Sequence, residues 1–84
     1  MKREEMYAKL KESIYETFKG EISLDNVTEE TFLPEELGLN SIMVIEILSR
    51  VENEFGIEVD DEDLSIELVK NLSVLADYIE KKLS

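Results

Sequence analysis

Apolar residues recur every three to four positions in three stretches of this chain, and the pattern lapses between them. Met6, Leu10, Ile14 and Phe18 follow at four-residue intervals with Tyr7 and Tyr15 flanking, which predicts an amphipathic helix over about Arg3 to Lys19. Gly20 supplies its stop. Val44, Ile47, Leu48, Val51 and Phe55 form a core-facing stripe and predict a second helix from about Ser41 to Phe55. Asn40 is its natural N-cap, because the side-chain oxygen can accept a first-turn amide hydrogen, and Gly56 ends it. Leu72, Leu75, Ala76, Ile79 and Leu83 make the last apolar face. That helix runs from Leu72 to about Leu83, capped by Asn71, with Lys81 and Lys82 in the final turn where cations suit the dipole.

Between the first two helices, Glu21 to Asn40 has no sustained period, yet Ile22, Leu24, Val27, Phe32, Leu33, Leu37 and Leu39 are apolar. Pro34, Gly38, Asp25-Asn26 and the Thr28–Thr31 cluster mark turns, with room for one short helical turn. A loop this long in a small domain is functional or misassigned; its apolar residues predict a segment pinned across the helices. Ile57-Glu58-Val59 is too short to read as a strand. Asp60 or Asp61 can cap a brief helix from Glu62 to about Leu68, with Leu64 and Leu68 facing inward. The expected fold is all-α: a four-helix bundle with a long first loop and a short third helix, one domain over residues 1–84.

The second helix carries apolar residues that its core stripe does not need. Ile42, Met43 and Ile45 point away from the predicted core, beside Glu46, Ser49, Glu52 and Asn53. Three apolar residues in a first turn ringed by carboxylates read as a docking patch. Charge sharpens that reading. Of a net −12, residues 20–69 hold fifteen acids against Arg50 alone. Such a field repels nucleic acid and anionic membrane and attracts basic protein surfaces.

Composition removes most chemistry. With 84 residues and no cysteine there are no disulfides or thiolate metal sites, and only ~60–65% of the unfolded surface can be buried, so the fold should be simple. The longest apolar run, Ile42 to Ile45, cannot span a bilayer, and the charged Met1–Glu5 start resembles no secretory signal; a cytoplasmic location is expected. Ser41 lacks a histidine to activate it, and Leu39 and Met43 stand where a nucleophile elbow needs glycines. The Asp60–Asp63 run fails the calcium-loop template at Ile66 and Leu72. No catalytic residue and no metal site are assigned. What remains is a serine at N1 of a helix, its hydroxyl not needed as a cap, on a terminus that favours anions. That combination points to a residue modified by another enzyme.

The stretch Leu37-Gly38-Leu39-Asn40-Ser41-Ile42, followed by Glu46, Val51, Glu52 and Phe55, resembles the signature of the acyl and peptidyl carrier protein family, and the likeness extends from Leu10 to Ile79. The resemblance implies that Ser41 receives 4′-phosphopantetheine from coenzyme A through a magnesium-dependent phosphopantetheinyl transferase. The terminal thiol of that group would then hold acyl or aminoacyl thioesters. Implied partners are the transferase, an acyl- or aminoacyl-activating ligase, a ketosynthase or condensation enzyme, and a thioesterase. These would dock on Asn40, Ile42, Met43, Ile45, Glu46, Ser49, Glu52 and Asn53, with acidic residues near Asp60–Asp63 added from the third helix. A monomer is expected, with apolar cargo able to fold back between the second and third helices. Asn40 replaces the aspartate common in fatty-acid carriers, which tilts the reading towards polyketide or nonribosomal-peptide assembly, while the resemblance equally covers fatty-acid and D-alanyl roles. The competing reading is an unmodified acidic helical adaptor that uses the same face to bind a basic protein.

Overall fold

A computed structural model describes all 84 residues. Four α-helices lie in the order α1 (Arg3–Thr17), α2 (Leu33–Leu37), α3 (Ser41–Phe55) and α4 (Leu72–Leu83), with 3₁₀ turns at Asp61–Asp63 and Ile66–Val69. The two helices with the strongest apolar stripes, α3 and α4, have the ends that the sequence predicts. Both begin at an asparagine: the Asn40 side chain accepts from the Met43 amide at 2.9 Å, and Asn71 accepts from Val74 at 2.8 Å. Gly38 and Gly56, on either side of α3, adopt the left-handed conformation at φ 62° and 65° and turn the chain there.

α1 packs against α3 and α4, while α4 also packs on the Ile66–Val69 turn. Seventeen buried apolar side chains form one core, led by Met6, Leu10, Ile14, Ile47, Leu48, Val51, Leu72, Leu75 and Ile79. The long first loop is fastened to that core. Val27 and Leu33 are buried in it, the Leu33 amide donates to the Lys70 carbonyl at 2.8 Å, and the Ser73 amide donates to Glu29 at 3.0 Å. Across the bundle, Arg3 pairs with Asp77 and Glu80 and joins α1 to α4.

Three expectations change and one is met. α1 stops at Thr17 instead of Lys19, because Lys19 and Gly20 both take positive φ and the Gly20 amide turns back to the Tyr15 carbonyl at 2.9 Å. The short helical turn expected in the first loop is present as α2, started by Pro34 in its first turn and ended by Gly38. The expected helix over Glu62–Leu68 is two 3₁₀ turns instead, broken where Leu64 and Ser65 become extended. Only Leu68 and Val69 of that region reach the core, so too little apolar surface is buried there to carry a longer helix. Leu64 and Leu83, both expected to face inward, are exposed: Leu64 by the break, and Leu83 because it closes α4 past the last core layer.

Candidate functional site

Ser41 is the first residue of α3 and is exposed. Asn40 does the capping, so the Ser41 hydroxyl makes no hydrogen bond within the chain. The Ser41 and Ile42 amides likewise have no acceptor, as expected for the first turn of a helix. α3 has no acidic residue in its first turn, unlike α1 and α2, so no carboxylate competes for those amides. The result is an exposed, unengaged hydroxyl on a helix N-terminus with two unpaired N–H groups. An anion attached to that oxygen is favoured by roughly 0.3–1 kcal/mol through the dipole.

Beside the hydroxyl, a groove of about 190 Å³ runs between α3 and the 3₁₀ segment, lined by Ser41, Val44, Ile45, Leu64, Ser65 and Ile66. Ile45, Leu64 and Ile66 are among the exposed large apolar residues of the molecule, and here they face one hollow. Residue periodicity assigned Ile45 to the outer face but missed Leu64 and Ile66 as its partners. Their signal is an apolar pair two apart, which aligns side chains in an extended segment and not in the helix expected there.

The outward side of α3 carries most of the residues expected for docking. Ile42 is 75% exposed and Ile45 58%, and Asn40, Glu46, Ser49 and Asn53 are exposed too. Met43 is half-buried, on the flank of α3 that it shares with Arg50 seven residues on. Near that flank, Arg50 pairs with Glu16 at 3.2 Å, and Asn53 borders a polar hollow with Ser13, Glu16, Arg50 and Glu54. Glu52 differs from its neighbours. Its carboxylate accepts from the Val59 amide at 2.8 Å, so it fastens the chain after Gly56 and is not a freely projecting charge.

The acidic turn at Asp61–Asp63 is tied to α4. Tyr78 donates to the Asp63 carboxylate at 2.9 Å, and Lys82 meets Asp60 at 2.8 Å. Burial, then the bond to Asp63, pushes the Tyr78 hydroxyl above its ordinary pKa. The Asp60 carboxylate holds the Lys82 ammonium above its own. No group of acids and histidines is arranged to hold a metal ion, and no helix is long and apolar enough to cross a membrane.

The family model described as a phosphopantetheine attachment site matches residues 12–79. The chain is 40% identical over 81 residues to an acyl carrier protein of Thermotoga maritima, an alignment covering 96% of this chain and 95% of that one. It is 33% identical over 79 residues to an acyl carrier protein of Lactobacillus acidophilus, covering 94% of each. An acyl carrier protein of Chlorobium phaeobacteroides is 31% identical over 77 residues, covering 89% of this chain and 96% of the relative.

Proposed function

The chain belongs to the acyl carrier protein family, whose members are non-catalytic carriers bearing a 4′-phosphopantetheine group, and we propose that Ser41 is the residue to which that group is joined. The observation that carries the assignment is the division of labour at the start of α3: Asn40 caps the helix, which leaves the Ser41 oxygen exposed and without a partner. The Ser41 and Ile42 amides suit the phosphodiester that attachment would leave there. With no histidine in the chain, removal of the serine proton falls to the transferase. The chain has no thiol of its own; the group supplies the one that forms thioesters.

Residues 1–84 act as one monomeric carrier domain in this reading. Carriers of this family work with a phosphopantetheinyl transferase and acyl-handling enzymes. The docking surface is the exposed side of α3, with Asn40, Ile42, Ile45, Glu46, Ser49 and Asn53 in the lead and Met43 at its edge. Glu52 supports it from behind by holding Val59. Partners present Lys or Arg around an apolar notch, and binding is weak, fast and salt-sensitive.

The groove bears on cargo. Four of its six lining residues are apolar, which suits an acyl chain better than an aminoacyl group. Asn40 in place of aspartate supports service in a polyketide-type assembly line. Incubation with coenzyme A and a broad-specificity transferase, followed by peptide mapping, tests the attachment site. The added group is expected on the peptide holding Ser41; finding it on Ser49 or Ser65 instead would overturn the assignment.

A further inference from the structure

Residues 60–67 form a strap along one side of the groove, and none of the eight is buried. Both ends of the strap are fixed. Before it, Val59 lies in the core and its amide is held by Glu52 at 2.8 Å. After it, Leu68 and Val69 are buried, and the Lys70 carbonyl accepts from Leu33. Between these anchors the backbone has only two short 3₁₀ turns, whose hydrogen-bond geometry is poor.

The side chains that tie the strap to the helices belong to α4. The Asp60 amide donates to the Tyr78 hydroxyl at 3.4 Å, and that hydroxyl donates to the Asp63 carboxylate at 2.9 Å. Lys82 meets Asp60 at 2.8 Å and lies 5.5 Å over the Tyr78 ring. One oxygen, on Tyr78, thus holds both ends of the acidic turn. Leu64, the first residue of the groove wall, follows Asp63 directly.

We propose that Tyr78 is a positioning residue for the thioester cargo: its hydroxyl latches the strap to α4 and so limits the length of acyl chain that the groove beside Ser41 admits. The inference rests on the reading of that groove as the resting place of the cargo. A volume of about 190 Å³ takes about six methylenes if each occupies the ~30 Å³ share of a water molecule. A chain of that size fits with the strap latched. A longer one runs out of the open groove into solvent unless Leu64, Ser65 and Ile66 move outward to cover it, which the bonds of Tyr78 to Asp60 and Asp63 oppose.

Tyr78→Phe keeps the ring and its stack with Lys82 but removes the latch. Asp63→Ala removes the acceptor, and Asp63→Asn retains a carbonyl oxygen that can still accept. Two readouts apply to these variants and the wild type. Amide hydrogen exchange over residues 61–66 should accelerate roughly two- to tenfold in Tyr78→Phe and Asp63→Ala, the span one hydrogen bond sets on an opening equilibrium. It should stay near wild type in Asp63→Asn, with α1 and α3 unchanged in all three. Hydroxylamine cleavage of hexanoyl and dodecanoyl thioesters on the phosphopantetheinylated protein, compared with free acyl-pantetheines, reads the groove. The hexanoyl thioester should be protected in every form, and the dodecanoyl thioester several-fold better protected in Tyr78→Phe than in wild type. Wild-type hexanoyl thioester cleaved as fast as free hexanoyl-pantetheine would sink the cargo reading itself. Protected hexanoyl with unaltered dodecanoyl cleavage and strap exchange in Tyr78→Phe would sink the latch alone. Exchange accelerated equally throughout the bundle would also overturn it, by showing a general loss of stability.

Discussion

Asn40 and Ser41 are adjacent, polar and exposed, yet replacing them by alanine should have opposite consequences. The Asn40 side chain accepts from the Met43 amide at 2.9 Å, while the Ser41 hydroxyl bonds to nothing in the chain. Asn40→Ala strands the Met43 donor but leaves the backbone bond from the Val44 amide to the residue-40 carbonyl in place. Loss of such a cap costs ~1 kcal/mol, within a range of about 0.5–2. For a domain of this size that lowers Tm by about 4–8 °C per kcal/mol. Ser41→Ala removes no bond and should stay within about 0.5 kcal/mol of wild type. Urea titration followed by far-UV circular dichroism, at equal m-values, gives both differences. A Ser41→Ala loss equal to that of Asn40→Ala would refute the reasoning, because the serine would then be part of the cap and not a projecting tether. An unchanged Asn40→Ala midpoint would refute it from the other side.

Attachment of an anionic phosphodiester at Ser41 should raise stability by roughly 0.3–1 kcal/mol at low ionic strength through the α3 dipole. The gain should shrink at 1 M salt, and a salt-independent gain would speak against an electrostatic origin. Glu46→Lys reverses a charge that has no partner in the chain, so it should leave Tm within a degree or two and slow phosphopantetheine transfer several-fold at low salt; unchanged transfer kinetics would remove α3 from the docking surface. Glu52→Ala should instead destabilise by about 1–3 kcal/mol, since the Val59 amide loses its acceptor; a neutral urea midpoint would contradict that role. The Arg3 guanidinium holds the Glu80 carboxyl below its ordinary 4.5. The stability from that pair is therefore full above pH 4.5 and lost as pH falls through the lower folded value. The stability gap between wild type and Arg3→Met should narrow on acidification through that window, and a gap that holds constant or widens would contradict the linkage.

The parts of the fold legible in the sequence are those where one physical signal dominates. α3 and α4 have unbroken apolar stripes and asparagine caps, so their ends follow from residue order alone. The loop between α1 and α3 was readable as fastened, because Val27 and Leu33 are apolar among turn formers, but not the bonds that fasten it. Leu33–Lys70 and Glu29–Ser73 join residues dozens of positions apart through backbone atoms, which carry no trace in side-chain pattern. Residues 60–67 misled for a different reason. Their acids favour a capped helix locally, but with only Leu68 and Val69 reaching the core, burial does not sustain one. That misreading also hid the groove, since Leu64 and Ile66 share a side only because the chain is extended at Leu64 and Ser65. Ser41 was legible for the opposite reason: its place depends on its neighbour Asn40 and on the helix start, both local. Glu52 shows the limit of reading a helix face by angle, as the Val59 amide that claims it lies seven residues on.

Intact mass of the protein after incubation with coenzyme A, magnesium and a broad-specificity phosphopantetheinyl transferase goes most directly to the role assigned to Ser41. Wild type should gain one phosphopantetheine and the folded Ser41→Ala variant none. An unmodified wild type beside a fully modified control carrier, or a modified Ser41→Ala variant, would contradict it.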